Sequence, residues 1–313
     1  MRSINRQALL AISLVLACFL AGAASTTSVS AQSSNVQITS TSTDAWPTIV
    51  ATITVVDGSG QPITGLPPEA FSATLAGAEM ELTGLQTTSD PGIGVAVVLT
   101  FDVSGSMAGP PLESARAAGQ ALIAQLGPSD QAAIVSLSDQ PAELQAFTTD
   151  KAAKSAAVSS LAIGGNTGLY AAVEVSVRLA DTAPLPRRAI VLLSDGVDIG
   201  GTADPAQSLA AVSESSALVI AIGLGDSIDQ DYLSQLAAVG RGQFSVAPAP
   251  ADLTALYQTA AAVLRQQYVL TLDAGSLDPN VANGSTLRIQ TTVGAEVLAG
   301  ETTIALPAAV LAV

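Results

Sequence analysis

Five oxygen-bearing side chains fall in three separate loops of this chain. Asp102, Ser104 and Ser106 alternate within Asp102-Val103-Ser104-Gly105-Ser106-Met107. If that loop is extended, alternate side chains point one way, and the three oxygen groups face together. Thr167 lies in Gly164-Gly165-Asn166-Thr167-Gly168, ahead of a helix expected to start near Leu169, and Asp195 lies in Ser194-Asp195-Gly196. Oxygen groups are the donors that hard divalent cations prefer. Each residue also has an ordinary role open to it. Asp102, Ser104 or Ser106 suits an Asx-type turn or the cap of a helix beginning near Pro110, Thr167 suits an N-cap, and Asp195-Gly196 is a common turn pair.

Composition narrows the remaining chemistry. The 313 residues contain no histidine, which removes the commonest general base and the usual zinc ligand and excludes a Ser-His-Asp hydrolase. Cys18 is the only cysteine. Gly223-Leu224-Gly225 follows an expected strand, but Ile228 stands where a dinucleotide fingerprint needs its third glycine, and no Gly-Lys-Ser/Thr loop is present. Nucleotide binding is therefore not expected. The formal charge of −15 opposes binding to nucleic acid or anionic lipid.

The elements that must hold these loops read as an α/β domain over residues 92–266. From Val95 the run VAVVLTF is almost wholly apolar, as in a strand buried on both faces of a parallel sheet. The helix after it places Leu112, Ala115, Gly119, Leu122, Ile123 and Leu126 on one face at a 3.6-residue period. Further strands are predicted at Ala132 to Leu137, Leu144 to Phe147, Ala189 to Leu193, Leu218 to Ile222 and Gln243 to Val246, with helices between most of them. A last helix runs from Asp252 to Gln266. This alternation predicts a doubly wound sheet, in which ligands bind at the carboxyl ends of strands.

The flanks read differently. Residues 46–91 hold short β candidates at Ile49 to Val56, Phe71 to Leu75 and Met80 to Leu85, the first ending in the turn Asp57-Gly58-Ser59-Gly60. Residues 267–313 return to β pattern in YVLTLDA and TLRIQTTV, with Asn283-Gly284 as a hairpin signal. The two flanks are expected to pair into one β-sandwich with the α/β domain inserted between them. The Ser- and Thr-rich segment 32–45 reads as a flexible lead-in, and the final IALPAAVLAV as an edge strand or the start of a longer segment. It is too short for a spanning helix of roughly 20 residues.

Residues 1–31 carry Arg2 and Arg6, an apolar run from Ala8 to Ala24 and the small residues Val29-Ser30-Ala31, the pattern of an export signal. Cleavage after Ala31 leaves no cysteine, so disulfides cannot support the mature fold, and it takes the formal charge to −17. A membrane link is expected only through an uncleaved signal anchor or a longer C-terminal segment.

Taken together, the residues of 92–266 resemble the von Willebrand factor type A (vWA) family. Asp102-Val103-Ser104-Gly105-Ser106-Met107 is similar to its Asp-x-Ser-x-Ser signature, Thr167 to its threonine after a Gly-rich turn, and Ser194-Asp195-Gly196 to its second aspartate. The resemblance implies a Rossmann-like sheet flanked by helices, whose first and fourth strands are neighbours, bringing Asp102 and Asp195 to one crevice. It implies that Asp102, Ser104, Ser106, Thr167 and Asp195 form a metal-ion-dependent adhesion site (MIDAS) for a divalent cation, Mg²⁺ by preference, with Mn²⁺ or Ca²⁺ as alternatives. The joint occurrence of all five in the family order favours this over separate turns and caps. Asp198 is left out as a solvated helix-start carboxylate.

The expected function is a secreted or cell-surface module that binds a protein or matrix-like ligand, whose acidic side chain completes the cation's shell. No catalysis is expected. A scaffold or assembly component with a structural metal is the alternative. A Mg²⁺-dependent hydrolase using Asp102 as nucleophile would resemble a pattern with a second Asp two residues on, where this chain has Ser104.

Overall fold

The computed structural model describes residues 35–58, 61–87, 93–199 and 203–311. The segment read as an export signal lies outside them. Four strands come first: β1 (Asn35–Ala45), β2 (Thr48–Val56), β3 (Phe71–Leu75) and β4 (Ala78–Thr87). The α/β part follows as β5 (Ala96–Asp102), α1 (Pro110–Gln125), β6 (Gln131–Leu137), β7 (Ala142–Thr148), α2 (Lys151–Ser159), α3 (Leu169–Asp181), β8 (Arg188–Ser194), α4 (Pro205–Glu214), β9 (Leu218–Leu224), α5 (Gln230–Val239), β10 (Gln243–Ala247) and α6 (Leu253–Arg265). The chain closes with β11 (Tyr268–Asp273), a helical turn α7 (Pro279–Ala282), β12 (Thr286–Val293), β13 (Glu296–Thr303) and a short α8 (Ala308–Leu311).

Six strands of the α/β part lie in the order β10-β9-β8-β5-β6-β7, parallel except for β7, which runs antiparallel to β6 at the edge. All seven residues of β5 are buried because helices cover both faces. Val97, Leu99 and Phe101 pack with α1, α2 and α6 on one side, while Val98 packs with α3 and α5 on the other. The approach of α1 to β5 is close enough that a Cβ on Gly119 would fall 2.7 Å from the Phe101 ring. Helix packing on both faces fixes the strand ends, and with them the loops that carry the oxygen donors.

The flanks form one antiparallel sheet in the order β1-β2-β11-β4-β3-β12-β13. N-terminal β2 pairs with C-terminal β11 in the register Ile53↔Tyr268, and β11 pairs on its other side with β4. The α/β part is thus inserted between two adjacent strands. The sheet folds over on itself around a shared core that includes Ile38, Ile53, Leu75, Leu270, Ile289 and Leu298. Its two ends meet so closely that a Cβ on Gly300 of β13 would lie 2.0 Å from the Val36 carbonyl oxygen of β1.

Three sequence expectations are corrected here. The segment read as a flexible lead-in, 32–45, is structured over its described part, since Asn35–Ala45 form β1, paired along β2 from Asn35↔Val56 to Ala45↔Thr48. Polar composition hid a strand whose Val36 and Ile38 enter the core and whose Thr39 hydroxyl donates to the Thr52 carbonyl at 3.0 Å. Residues 304–311 are not an edge strand. Ile304 and Leu306 are buried, and Pro307, which has no N–H to donate to a ladder, leads into α8. Asn283-Gly284 does not turn a hairpin either. Asp278 caps α7 through the Asn280 N–H, so the Asn-Gly pair serves as the exit from that turn, and the hairpin between β12 and β13 turns at Gly294-Ala295 instead.

A chain that begins at Trp46 is expected to lose more than about 3 kcal/mol of unfolding free energy, since Val36 and Ile38 each contribute roughly 1.5–3 kcal/mol by burial. Urea unfolding checks this. An unchanged midpoint would mean that β1 is dispensable.

Candidate functional site

The order of the sheet reverses at β5, which continues to β6 on one side and to β8, β9 and β10 on the other. A crevice opens at the carboxyl ends of strands where such a reversal occurs. Phe101 pairs with Leu193, so Asp102 and Ser194 leave the sheet at the same level and Asp195 follows one residue beyond. Asp102 ends β5 with no exposure, Ser104 and Thr167 are buried, Asp195 is half-buried and Ser106 is exposed.

A hydrogen-bonded chain of oxygens links two of the loops. The Ser104 N–H donates to Asp102 Oδ1 at 2.9 Å, and the Ser194 hydroxyl donates to Asp102 Oδ2 at 2.7 Å. The Ser104 and Ser106 hydroxyls lie 3.1 Å apart, and the Ser106 hydroxyl donates to Asp195 Oδ1 at 2.9 Å. Thr167 completes the group from the third loop. Its hydroxyl faces Gly196, where an added Cβ would lie 3.4 Å away. All five residues therefore gather at one crevice.

The local geometry departs from a simple extended loop. Ser104 is extended, but Ser106 sits in a 3₁₀ turn over Gly105–Met107, anchored by the fully buried Met107. The ordinary roles are partly present as well. Asp102 does make an Asx-type bond to the Ser104 N–H, whereas α1 and α3 are capped at Gly109 and Gly168, so neither the first loop nor Thr167 serves as a helix cap.

Several positioning residues escaped the sequence reading. Ser194 holds the second oxygen of Asp102, and its place beside Asp195 was the available signal. Asp198 accepts from the Tyr170 N–H at 3.1 Å, so its carboxylate does serve a helix start, that of α3 rather than one on its own loop. Ser138 and Asp139, after β6, press on the Gly-rich loop. A Cβ on Gly165, whose φ is +69°, would lie 1.9 Å from Asp139 Oδ1, and one on Gly168 would lie 2.4 Å from the Ser138 carbonyl oxygen. No local pattern marks that contact, because it joins residues far apart in the chain.

Burial pushes the Asp102 carboxyl above its ordinary range, opposed by the hydrogen bonds from Ser104 and Ser194. Asp195 is also raised, first by burial and then by the charge of Asp102, with the Ser106 hydroxyl opposing. Among the described residues, no Lys or Arg contributes to either shift. Two interacting carboxylates without a basic partner, joined by neutral hydroxyls, make an oxygen-only donor set that fits a hard divalent cation. Among the described residues, no group of three or more His, Cys, Asp or Glu side chains could hold a metal, so hydroxyl donors are essential to such a site here.

Comparison with known proteins agrees with this architecture. Residues 97–197 match the family model described as von Willebrand factor type A domain. The sequence is 29% identical over 159 residues to the uncharacterized protein sll0103 of Synechocystis sp. (strain ATCC 27184 / PCC 6803 / Kazusa), a match covering 49% of this chain and 38% of the relative. The matched region thus spans less than two-fifths of that curated relative. A von Willebrand factor type A structure from Catenulispora acidiphila aligns with a TM-score of 0.53 and 15% identity over 89% of this chain and 75% of its own. Proximal thread matrix protein 1 from the mussel byssus aligns with a TM-score of 0.51 and 15% identity over 64% of this chain and 49% of its own; another structure of it has a zinc-occupied MIDAS motif. At such identities the likeness establishes the fold alone.

With both aspartates raised, the cation-free folded chain holds protons more tightly than the unfolded chain. Acidification from neutral pH through the raised values therefore adds stability, and a return to neutral removes it. In chelator, the melting temperature should rise as pH falls from neutral towards the ordinary carboxylate range, and Asp195→Asn should melt at or above the wild type at pH 7. A lower melting temperature for Asp195→Asn there would show that Asp195 stabilises the fold without any cation.

Proposed function

We propose, on the premise that this chain carries a von Willebrand factor type A domain, that it is an extracytoplasmic protein-binding module working through a divalent cation. Asp102, Ser104, Ser106, Thr167 and Asp195 would hold the ion, Mg²⁺ by preference, and an acidic side chain of a protein or matrix-like partner would complete its shell. When bound, the cation supplies the positive charge that a carboxylate needs in order to approach so acidic a chain. The neutral hydroxyls of Ser104, Ser106 and Thr167 leave that charge less quenched than a full set of carboxylates would.

The observation that carries a protein partner is the rim of the crevice. Ile163 and Val197 are each 42% exposed and Ile199 is 74% exposed. Single exposed apolar residues are unremarkable. These three, however, stand in the loops that present Thr167 and Asp195, and the Ile199 N–H donates to the Thr167 carbonyl at 3.0 Å. Oxygen donors ringed by exposed aliphatic side chains suit a protein surface that offers a carboxylate beside apolar contacts. A purely structural metal, as in the scaffold reading, has no use for such a rim.

A binding role, as opposed to catalysis, is supported by the surroundings of Asp102. It is fully buried, both of its oxygens accept hydrogen bonds, and the chain has no histidine to act as base. An extracytoplasmic setting is supported by the export-type pattern of residues 1–31.

Wild-type protein should gain about 2.7 kcal/mol of stability when free Mg²⁺ is about 100 times its Kd, and Asp102→Ala should gain none. Partner capture from an extracellular extract should require Mg²⁺ and fail in chelator. Ile199→Ser should keep Mg²⁺ binding while weakening capture about tenfold, the loss of about 1.4 kcal/mol at an apolar contact. Full capture in chelator would rule out cation bridging.

A further inference from the structure

A second cleft lies away from the crevice, where the flank sheet meets the α/β part. It has a volume of about 390 Å³ and is bordered by β1, β2, β4 and β11 on one side and by the segment leading into β8 on the other. That volume falls in the range of small-molecule sites, roughly 300–1,000 Å³.

Its charge is opposite to that of the chain as a whole. Acidic residues outnumber basic ones 26 to 11, yet among the described residues the cleft is lined by Arg187 and Arg188 and by no Asp or Glu. Arg187 is only 7% exposed. Its Nε donates to Gln267 Oε1 at 3.1 Å and its Nη2 to Gln267 Oε1 and the Leu264 carbonyl, all neutral acceptors. Among the described residues, Nη1 has no hydrogen-bond partner. The acid whose charge acts on Arg187 is Asp130, whose own oxygens accept from the Val95 and Gly127 N–H groups. Burial brings the Arg187 guanidinium down to about 10, which leaves it cationic at neutral pH. Arg188 uses Nε on the Leu185 carbonyl at 3.3 Å and also borders the cleft.

The rest of the lining divides into two kinds. Ser40, Thr41, Thr52 and Ser216 bring hydroxyls and Gln86 an amide, while the Ser42 hydroxyl is donated to Asp44 Oδ2 at 3.0 Å; Val50, Ile93, Leu185, Pro186 and Val269 supply an apolar wall. Guanidinium and hydroxyl donors beside an aliphatic surface match a molecule with an anionic head and an apolar body.

We propose that this cleft is a binding site for an organic anion of the alkyl carboxylate class, with its head on Arg187 and Arg188 and its body against the aliphatic wall. The site is separate from the cation crevice and does not depend on it.

The test is isothermal titration of the full chain with octanoate in the presence of chelator, so that no cation at the crevice can capture the carboxylate. Octanamide and inorganic phosphate serve as comparison ligands. Octanoate should bind saturably at one site per chain, while octanamide and phosphate should bind at least tenfold more weakly. Arg188→Gln should weaken octanoate about tenfold, as expected for one lost hydrogen bond to a charged group. Ser216→Glu, a change at an exposed position that puts a carboxylate in the cleft, should abolish binding with the melting temperature unchanged. Absence of saturable octanoate binding, equal binding of octanamide or phosphate, or an unaffected Arg188→Gln would each overturn the assignment.

Discussion

Two carboxylates, one buried at the end of a parallel strand and one half-buried just past the end of its neighbour, are the constraint on which the rest of this structure depends. A desolvated carboxylate is costly unless it is hydrogen-bonded or paired with positive charge. Asp102 obtains hydrogen bonds from the Ser104 N–H and the Ser194 hydroxyl, and Asp195 obtains one from the Ser106 hydroxyl. Their mutual repulsion is tolerated because β5 and β8 are clamped between helices and cannot move apart. Among the described residues, no positively charged side chain contributes to either carboxylate.

The loops follow from the same clamp. Buried Met107 fixes the turn that carries Ser106, and Asp198 fixes the start of α3 just after Thr167. Ser138 and Asp139 press on the Gly-rich loop so closely that side chains at Gly165 and Gly168 would collide with them. None of these residues is a cation donor, yet each sets where a donor oxygen lies.

The flank sheet closes the chain behind this platform. Pairing of β2 with β11 brings together the segments that enter and leave the α/β part, and Arg187 and Gln267 connect the two parts where they meet. Gln267 continues the link to the Thr54 hydroxyl at 3.3 Å. A chain with 3% aromatic residues builds these cores mainly from Val, Ile, Leu and Ala, with Phe101 stacked on Tyr257 in one and Phe71 against Tyr268 in the other.

By itself the sequence determined the α/β alternation and the approximate strand positions within 92–266, and it singled out five oxygen-bearing residues, because buried parallel strands are nearly all apolar and their ends stand out as abrupt polar punctuation. Strands around Phe71–Leu75 and over Thr286–Val293 were legible for a similar reason, as alternating runs between turn residues. Tertiary structure decided what depends on distant partners. The Ser/Thr-rich segment became β1 because β2 offered it an edge and the shared core took Val36 and Ile38. Asn283-Gly284 lost its hairpin to the turn capped by Asp278, and Ile304 and Leu306 were drawn into the core without joining a ladder. The same holds for the crevice. Sequence spacing could offer its oxygen groups, but only the adjacency of β5 and β8 brought Asp102 close enough for its charge to raise the Asp195 carboxyl.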